Sequence, residues 1–245
     1  MEPANQPPTR NERWKSEKTG LRRPGTSAPT AQRVVLWASA LIVLGLTVLI
    51  IVNLSRPPRA PSSPGSPEPV ELMTTDWVKG PAGAKTVLIE YSDFQCPACG
   101  SYHPILRKLL AEFGDRMRFA YRHFPLKQHP NAEPAARAAE AAGRQGKFWE
   151  MHDLLFEGQS TWSDLADAEG IFDGYARRLG LDLARFHADL NSAELRKTIE
   201  EDRRSGSRLN LPGTPSFFLN GTLILNPEGY DEFRKILQQS VRQDP

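Results

Sequence analysis

Residues 34–54 read VVLWASALIVLGLTVLIIVNL, 21 residues without a charge. At about 1.5 Å per residue, a helix of that length matches a hydrocarbon core of roughly 30 Å. The run is therefore expected to be a single transmembrane helix that divides the chain in two. Arg10, Arg13, Lys15, Lys18, Arg22, Arg23 and Arg33 precede it, and only Arg56 and Arg59 follow soon after. The positive-inside rule then places the N-terminus in the cytoplasm and the bulk of the chain outside. A cleaved signal peptide is the competing reading. Its apolar region would span about 7–15 residues and end in small residues at a cleavage site. This run is longer and exits into NLSRPPRAP.

The flanking segments differ from the remainder. Residues 1–33 carry seven Lys/Arg against three Asp/Glu, net +4, and contain hardly any apolar run. They are expected to form a disordered basic cytoplasmic tail. Residues 55–69 are a linker in which Pro57–Pro69 holds six prolines, a semi-rigid stalk incompatible with helix or central strand. Residues 70–245, about 175 in number, are enough for one well-cored domain. They carry 22 Lys/Arg against 25 Asp/Glu, net −3, which gives no basic surface for nucleic acid.

Within that domain, Lys85–Tyr91 (KTVLIEY) reads as a buried central strand. Tyr102, Ile105, Leu106, Leu109, Leu110 and Phe113 then recur at helical spacing, and Gly114 stops the helix. Met117–Arg122 alternates with Met117, Phe119 and Tyr121 on one face, as a second strand does. From about 132 to 208 the pattern is Ala- and Leu-rich and helical throughout. Ser216–Asn220 is a strand, Asn220-Gly221 a hairpin turn, and Thr222–Leu225 the returning strand. A last amphipathic helix runs from about Tyr230 to Arg242. The order is that of an α/β domain with an α-helical insertion at about 132–208. GRQGKF at 143–148 is not a phosphate loop, because Ala141 stands at its first glycine and Phe148 at its Ser/Thr.

The chain has two cysteines, Cys96 and Cys99, in EYSDFQCPACGSYH. Cys96 follows a strand and opens a helix, with Pro97 in the first turn where its missing N–H costs nothing. The free N–H groups of that turn and the positive end of the helix dipole face the Cys96 sulfur and favour its thiolate. Cys99, one turn on, is near enough to close a disulfide, so the pair suits exchange through a mixed disulfide. Two alternatives compete. A zinc site would need two more ligands from His103, His123, His129, His152 or His187, which lack finger spacing. A purely structural disulfide would close a two-residue loop and constrain little of the unfolded chain.

LIEYSDFQCPACGSYH, followed far downstream by LPGTPSFFLNG, resembles the DsbA-like branch of the thioredoxin superfamily, most closely its membrane-anchored or secreted bacterial members. The likeness covers residues 70–245 and implies a thioredoxin fold with an α-helical insertion, preceded here by the single transmembrane helix. It implies that Cys96 is the exposed nucleophile, Cys99 its buried partner and Pro215 a cis-proline opposite them. A cis bond there leaves the Thr214 backbone to pair with an extended substrate segment; an ordinary trans loop is the alternative. Pro97 and Ala98 are then expected at the substrate-facing rim. Glu90 matches a buried acidic residue that relays the proton of Cys99; a strand-end carboxylate reaching solvent is the alternative. Pro104 matches a structural proline in the helix. Strongly oxidising members often have His between the cysteines, where this chain has Ala98.

The function so implied is that of a membrane-tethered thiol:disulfide oxidoreductase, monomeric, facing the periplasm or the cell exterior. Its redox-active disulfide is Cys96–Cys99, with no bound cofactor and no metal. Its partners would be unfolded or reduced exported proteins, a membrane redox partner and the bilayer through residues 34–54. Introduction of disulfides ranks ahead of reduction, which would need electrons delivered across the membrane and further cysteines this chain lacks, and isomerisation ranks last because residues 70–84 are too short for a dimerisation domain. A chaperone or binding module of the same fold, using the insertion as an apolar groove, is the rival from another class; it would need neither cysteine.

Overall fold

The run Thr86–Ser92 (TVLIEYS) is apolar enough on both faces to be stable only inside a sheet, and in the computed structural model every residue of it but Val87 is buried. The structure describes residues 30–54 and 69–243; in the first of these segments, side chains are described at 35–39 and 41–49. The expectations for the tail up to residue 29 and for the linker 55–68 lie outside the described residues. The chain divides into two units, residues 1–66 and 67–245.

In the first unit, helix α1 spans Thr30–Leu54 and starts four residues before the charge-free run. Its described apolar side chains, among them Leu36, Trp37, Ile42 and Leu49, are all exposed, so no single face is set aside for packing. Among the described residues, no helix is long and apolar enough to cross a membrane.

The second unit is built on a five-stranded sheet. Its strands are β1 (Trp77–Lys79), β2 (Thr86–Ser92), β3 (Met117–His123), β4 (Ser216–Leu219) and β5 (Thr222–Ile224), in the order β1-β3-β2-β4-β5. β2 and β3 are parallel, joined by helix α2 (Pro97–Phe113); the other pairings are antiparallel. Alternation puts Leu88 and Glu90 of β2 on the same face as Phe119 and Tyr121 of β3, with Glu90 directly beside Tyr121. On that face α2 and the last helix, α9 (Tyr230–Gln243), bury Leu106, Leu109, Phe113, Phe233 and Leu237 against Leu88, Phe119 and Phe217. The opposite face packs Ile89, Tyr91, Ala120 and Phe218 against Phe124, Leu209 and Leu211.

Between β3 and β4 lie six helices: α3 (Ala132–Gly143), α4 (Phe148–Glu157), α5 (Gln159–Trp162), α6 (Glu169–Arg178), α7 (Leu183–Leu190) and α8 (Ala193–Arg208). Small residues let α3 pack closely on every side, so that nine of its twelve residues are buried. The insertion shares one apolar cluster with Phe94, Cys96, Cys99 and Tyr121. It is part of the wall around the cysteines.

Three local features depart from the sequence reading. β1 has no counterpart there, because its three residues are too few to show a pattern and pair only with β3. It is fixed by side chains instead: Trp77 stacks on Phe148 at 4.5 Å and donates to Glu140 at 2.7 Å. Gly114 ends α2 in the right-handed conformation, not the left-handed one that usually calls for glycine. Arg122 is almost fully buried, a role no pattern announces. Its guanidinium donates twice to Asp76 at 2.8 Å, to the Tyr91 hydroxyl at 2.7 Å and to the Glu71 carbonyl at 2.6 Å, fastening residues 71–76 to the sheet. The Asn220-Gly221 turn has positive φ at both residues, 47° and 81°, the arrangement that suits a two-residue hairpin.

Candidate functional site

β2 ends at Ser92, and four residues later the chain enters α2, so Cys96 sits at the N-cap of that helix with Pro97 as its first residue. Cys96 keeps 7% of its surface and Cys99 none, while Pro97 and Ala98 are exposed between them. Both thiols are free. The Thr214–Pro215 bond is cis, and the Thr214 carbonyl accepts from the Cys96 thiol at 3.4 Å.

This geometry drives the two sulfurs apart in acidity. The hydrogen bond from Cys99 is the largest influence on Cys96. Burial opposes it, while the Thr214 hydroxyl and the N–H groups of Cys99 and Ala98 add to it, and the Cys96 pKa falls to about 5. The Thr214 hydroxyl oxygen is buried and has no hydrogen-bond partner of its own. Cys99 moves the other way, well above an ordinary thiol: burial leads, followed by the hydrogen bond it gives to Cys96 and the charge of Glu90. At neutral pH the reduced pair is a thiolate at Cys96 held by a thiol at Cys99.

Glu90 lies beneath this pair, 1% exposed. It does not reach solvent, because the side chains of that face of β2 point under α2. Its Oε1 accepts from the Ser92 hydroxyl at 2.7 Å and its Oε2 has no partner. Burial pushes its pKa from 4.5 to about 8, against the Ser92 hydrogen bond and with some help from the Cys96 charge. A carboxyl so placed is protonated at neutral pH. Pro104 lies inside α2.

The histidines weighed as zinc ligands are each engaged with a carboxylate: His103 and His152 with Asp153, His123 with Glu140, His129 with Asp93 and His187 with Asp173.

Several residues that shape the site carry no signal in the sequence. Gln159, from the insertion, donates to the Phe94 carbonyl at 2.6 Å and the Cys96 carbonyl at 2.9 Å, gripping the loop before the first cysteine. Gly100 allows this, since a Cβ there would lie 2.3 Å from the Gln159 Oε1. Asp93 accepts from the N–H groups of Gln95 and Leu126 and from His129 at 2.7–2.8 Å. The Gln95 Oε1 accepts from the Asn131 N–H at 2.6 Å. Apart from the Asp93–Gln95 contact, these partners are 33–65 residues apart, and spacing rules reach only neighbours within one helix or strand.

A family model described as Thioredoxin matches residues 73–239. A thioredoxin-like oxidoreductase from Silicibacter pomeroyi is 26% identical with TM-score 0.57, covering 70% of this chain and 92% of its own. The oxidised BdbD of Bacillus subtilis is 22% identical with TM-score 0.62, covering 72% and 97%, and speaks for the fold alone. A curated relative named Na(+)/H(+) antiporter NhaA 1, from Salinispora arenicola, is 46% identical over 147 residues. That match takes in 60% of this chain and 22% of the relative, so the chain spans about a fifth of that longer protein. The chain belongs to the thioredoxin family.

Proposed function

We propose that this protein is a membrane-tethered oxidase that introduces disulfides into exported proteins through Cys96 and Cys99. The observation that carries the reading is the opposed acidity of the two sulfurs, Cys96 at about 5 and Cys99 well above an ordinary thiol. A stabilised Cys96 thiolate favours the reduced form of the pair, and a pair that prefers to be reduced takes electrons from substrates. In the forward step a substrate thiolate attacks the Cys96 sulfur, Cys99 leaves and takes a proton from Glu90, and a second substrate thiol then displaces Cys96. Thr214 and Pro215 stand opposite Cys96, where the backbone of an extended substrate would lie, with Pro97 and Ala98 at the rim. No metal or bound cofactor enters these steps.

The apolar, charge-free run at 34–54 supports a single-pass anchor with the N-terminus in the cytoplasm and the redox domain in the periplasm or outside the cell, compartments where disulfides persist. A membrane redox partner would reoxidise the pair, and the protein would act as a monomer on reduced or unfolded exported proteins. The test is trapping in cells. Cys99→Ser should accumulate mixed disulfides with exported proteins through Cys96, and Cys96→Ser few or none. Equal trapping by both variants, or activity that survives loss of both cysteines, would remove the reading in favour of a binding module.

A further inference from the structure

Each time the Cys96–Cys99 bond opens, Cys99 needs a proton, and Glu90 is placed to give it. Glu90 is itself buried, so a carboxylate left there must be reprotonated before it can act again. Beside Glu90 lies a cavity of about 10 Å³, the smallest space that holds one water molecule. Glu90, His103, His152 and Asp153 all line it. His152 is 5% exposed. Its Nδ1 lies 2.9 Å from the Asp153 Oδ1, and its Nε2 has no partner. Glu90, with one unpartnered oxygen, and His152, with one unpartnered nitrogen, thus line the same small space. They are also complementary: with its proton on Nε2 the neutral imidazole donates to the carboxylate that Glu90 becomes, and with its proton on Nδ1 it accepts from the protonated carboxyl. Asp153 also meets the His103 Nε2 at 3.2 Å, and its side chain is 29% exposed, so it opens this cluster to water.

We propose that His152 carries protons between Glu90 and the solvent-facing Asp153, a role that rests on the redox reading of the cysteine pair. When the disulfide opens, the electron pair of the broken S–S bond goes to Cys99, and Cys99 takes the Glu90 proton. Glu90 regains a proton at Oε2 from the His152 side of the cavity. His152 regains its own at Nδ1 from the Asp153 side, which takes it from bulk water. When the pair is reoxidised the proton leaves by the same route. His152 acts through Glu90 and not on the sulfurs; it is a positioning residue. Burial lowers the His152 pKa to about 4, against the pull of Asp153, so its resting form is the neutral imidazole the route requires. The charged and titratable groups around it are Lys79 from β1, Glu90 from β2, Tyr121 from β3, His103 and Arg107 from α2, and Asp153 on its own helix. The ring also packs against Phe94, Trp149 and Phe156, so its removal has a packing effect that the test must separate from proton transfer.

The experiment is single-turnover reduction of the oxidised full-length chain by dithiothreitol, quenched by thiol alkylation, from pH 6 to pH 9. His152→Ala should be slowed about tenfold at pH 8 and above, where bulk protons are scarce, and little at pH 6. Added imidazole should restore the rate, because it fits the space left by the side chain. His152→Gln keeps size and polarity without a transferable proton; it should show the same pH-dependent loss and no rescue by imidazole. Overlapping pH profiles for wild type and either variant would overturn the proposal. So would a uniform loss at every pH that imidazole does not repair, which marks a packing role. A wild-type chain that does not exchange with dithiothreitol at all would overturn the redox reading itself, and the route with it.

Discussion

Replacing Glu90 by Gln should make the folded protein more stable, by an amount that grows with pH. In the folded chain burial holds the Glu90 carboxyl at about 8, whereas its ordinary value is 4.5. Below pH 4.5 the group is neutral whether folded or unfolded, and it costs nothing. Between pH 4.5 and about 8 the unfolded chain loses the proton while the folded chain keeps it. Stability therefore falls as pH rises through that window, by about 1.4 kcal/mol per pH unit. The penalty reaches roughly 3 kcal/mol at pH 7, a large share of a typical domain's 5–15 kcal/mol. Gln is nearly isosteric, carries no charge, and its amide oxygen can still accept from Ser92. Urea unfolding of the wild type and the Glu90→Gln variant, measured in parallel at pH 4.5, 6, 7 and 8, isolates the effect, since every other titrating group cancels in the difference. We expect near equality at pH 4.5 and an advantage to the variant of roughly 3 kcal/mol at pH 7. A difference that stays flat with pH, or favours the wild type increasingly as pH rises, would refute the buried, protonated carboxyl.

Asp76→Ala strips the buried Arg122 guanidinium of its two carboxylate contacts. Leaving a charge buried and uncompensated should cost about 3–5 kcal/mol in urea unfolding, and a loss under 1 kcal/mol would mean that water reaches the site. Gly100→Ala would stabilise an open helix by up to about 1 kcal/mol. Here the new methyl meets the Gln159 amide and breaks two hydrogen bonds to the cysteine loop, so a net destabilisation of about 1–2 kcal/mol is expected. A more stable variant would show that Gln159 does not grip the loop. Protease added to intact spheroplasts should release a fragment that begins within Pro57–Pro69, whereas a mature chain that already starts beyond residue 54 would remove the anchor.

The central strands were legible because the consecutive residues of β2 leave no face for water, and α2 because its apolar residues recur every three or four positions. Five of the six insertion helices could be read from their Ala- and Leu-rich segments; α5, only four residues long, could not. Their orientation around the cysteines could not, because it is set by contacts such as Trp77 with Phe148 and Gln159 with the Phe94 and Cys96 carbonyls. Cys96, Cys99 and Pro215 could be singled out because each belongs to a short motif. Glu90 could be placed on the buried side only as one of two readings, since a charged residue in a strand more often reaches solvent. His152 drew notice only as one histidine among five. What sets it apart is that it has an unpartnered nitrogen and lines the same cavity as Glu90, a relation between α4 and β2 that exists only once the chain is folded.

The most direct test of a disulfide-donating pair is the reduction potential of Cys96–Cys99 in the full-length chain, equilibrated with glutathione and read by thiol alkylation. A Cys96 thiolate held by Cys99, Thr214 and the helix start favours an oxidant, while Ala98 offers no imidazole to strengthen it further. We expect a value of roughly −130 to −200 mV, between the strongest oxidants of this superfamily and thioredoxin, together with oxidation of a reduced, unfolded protein. A potential near thioredoxin's, about −270 mV, with no such oxidation, would mean that electrons flow the other way.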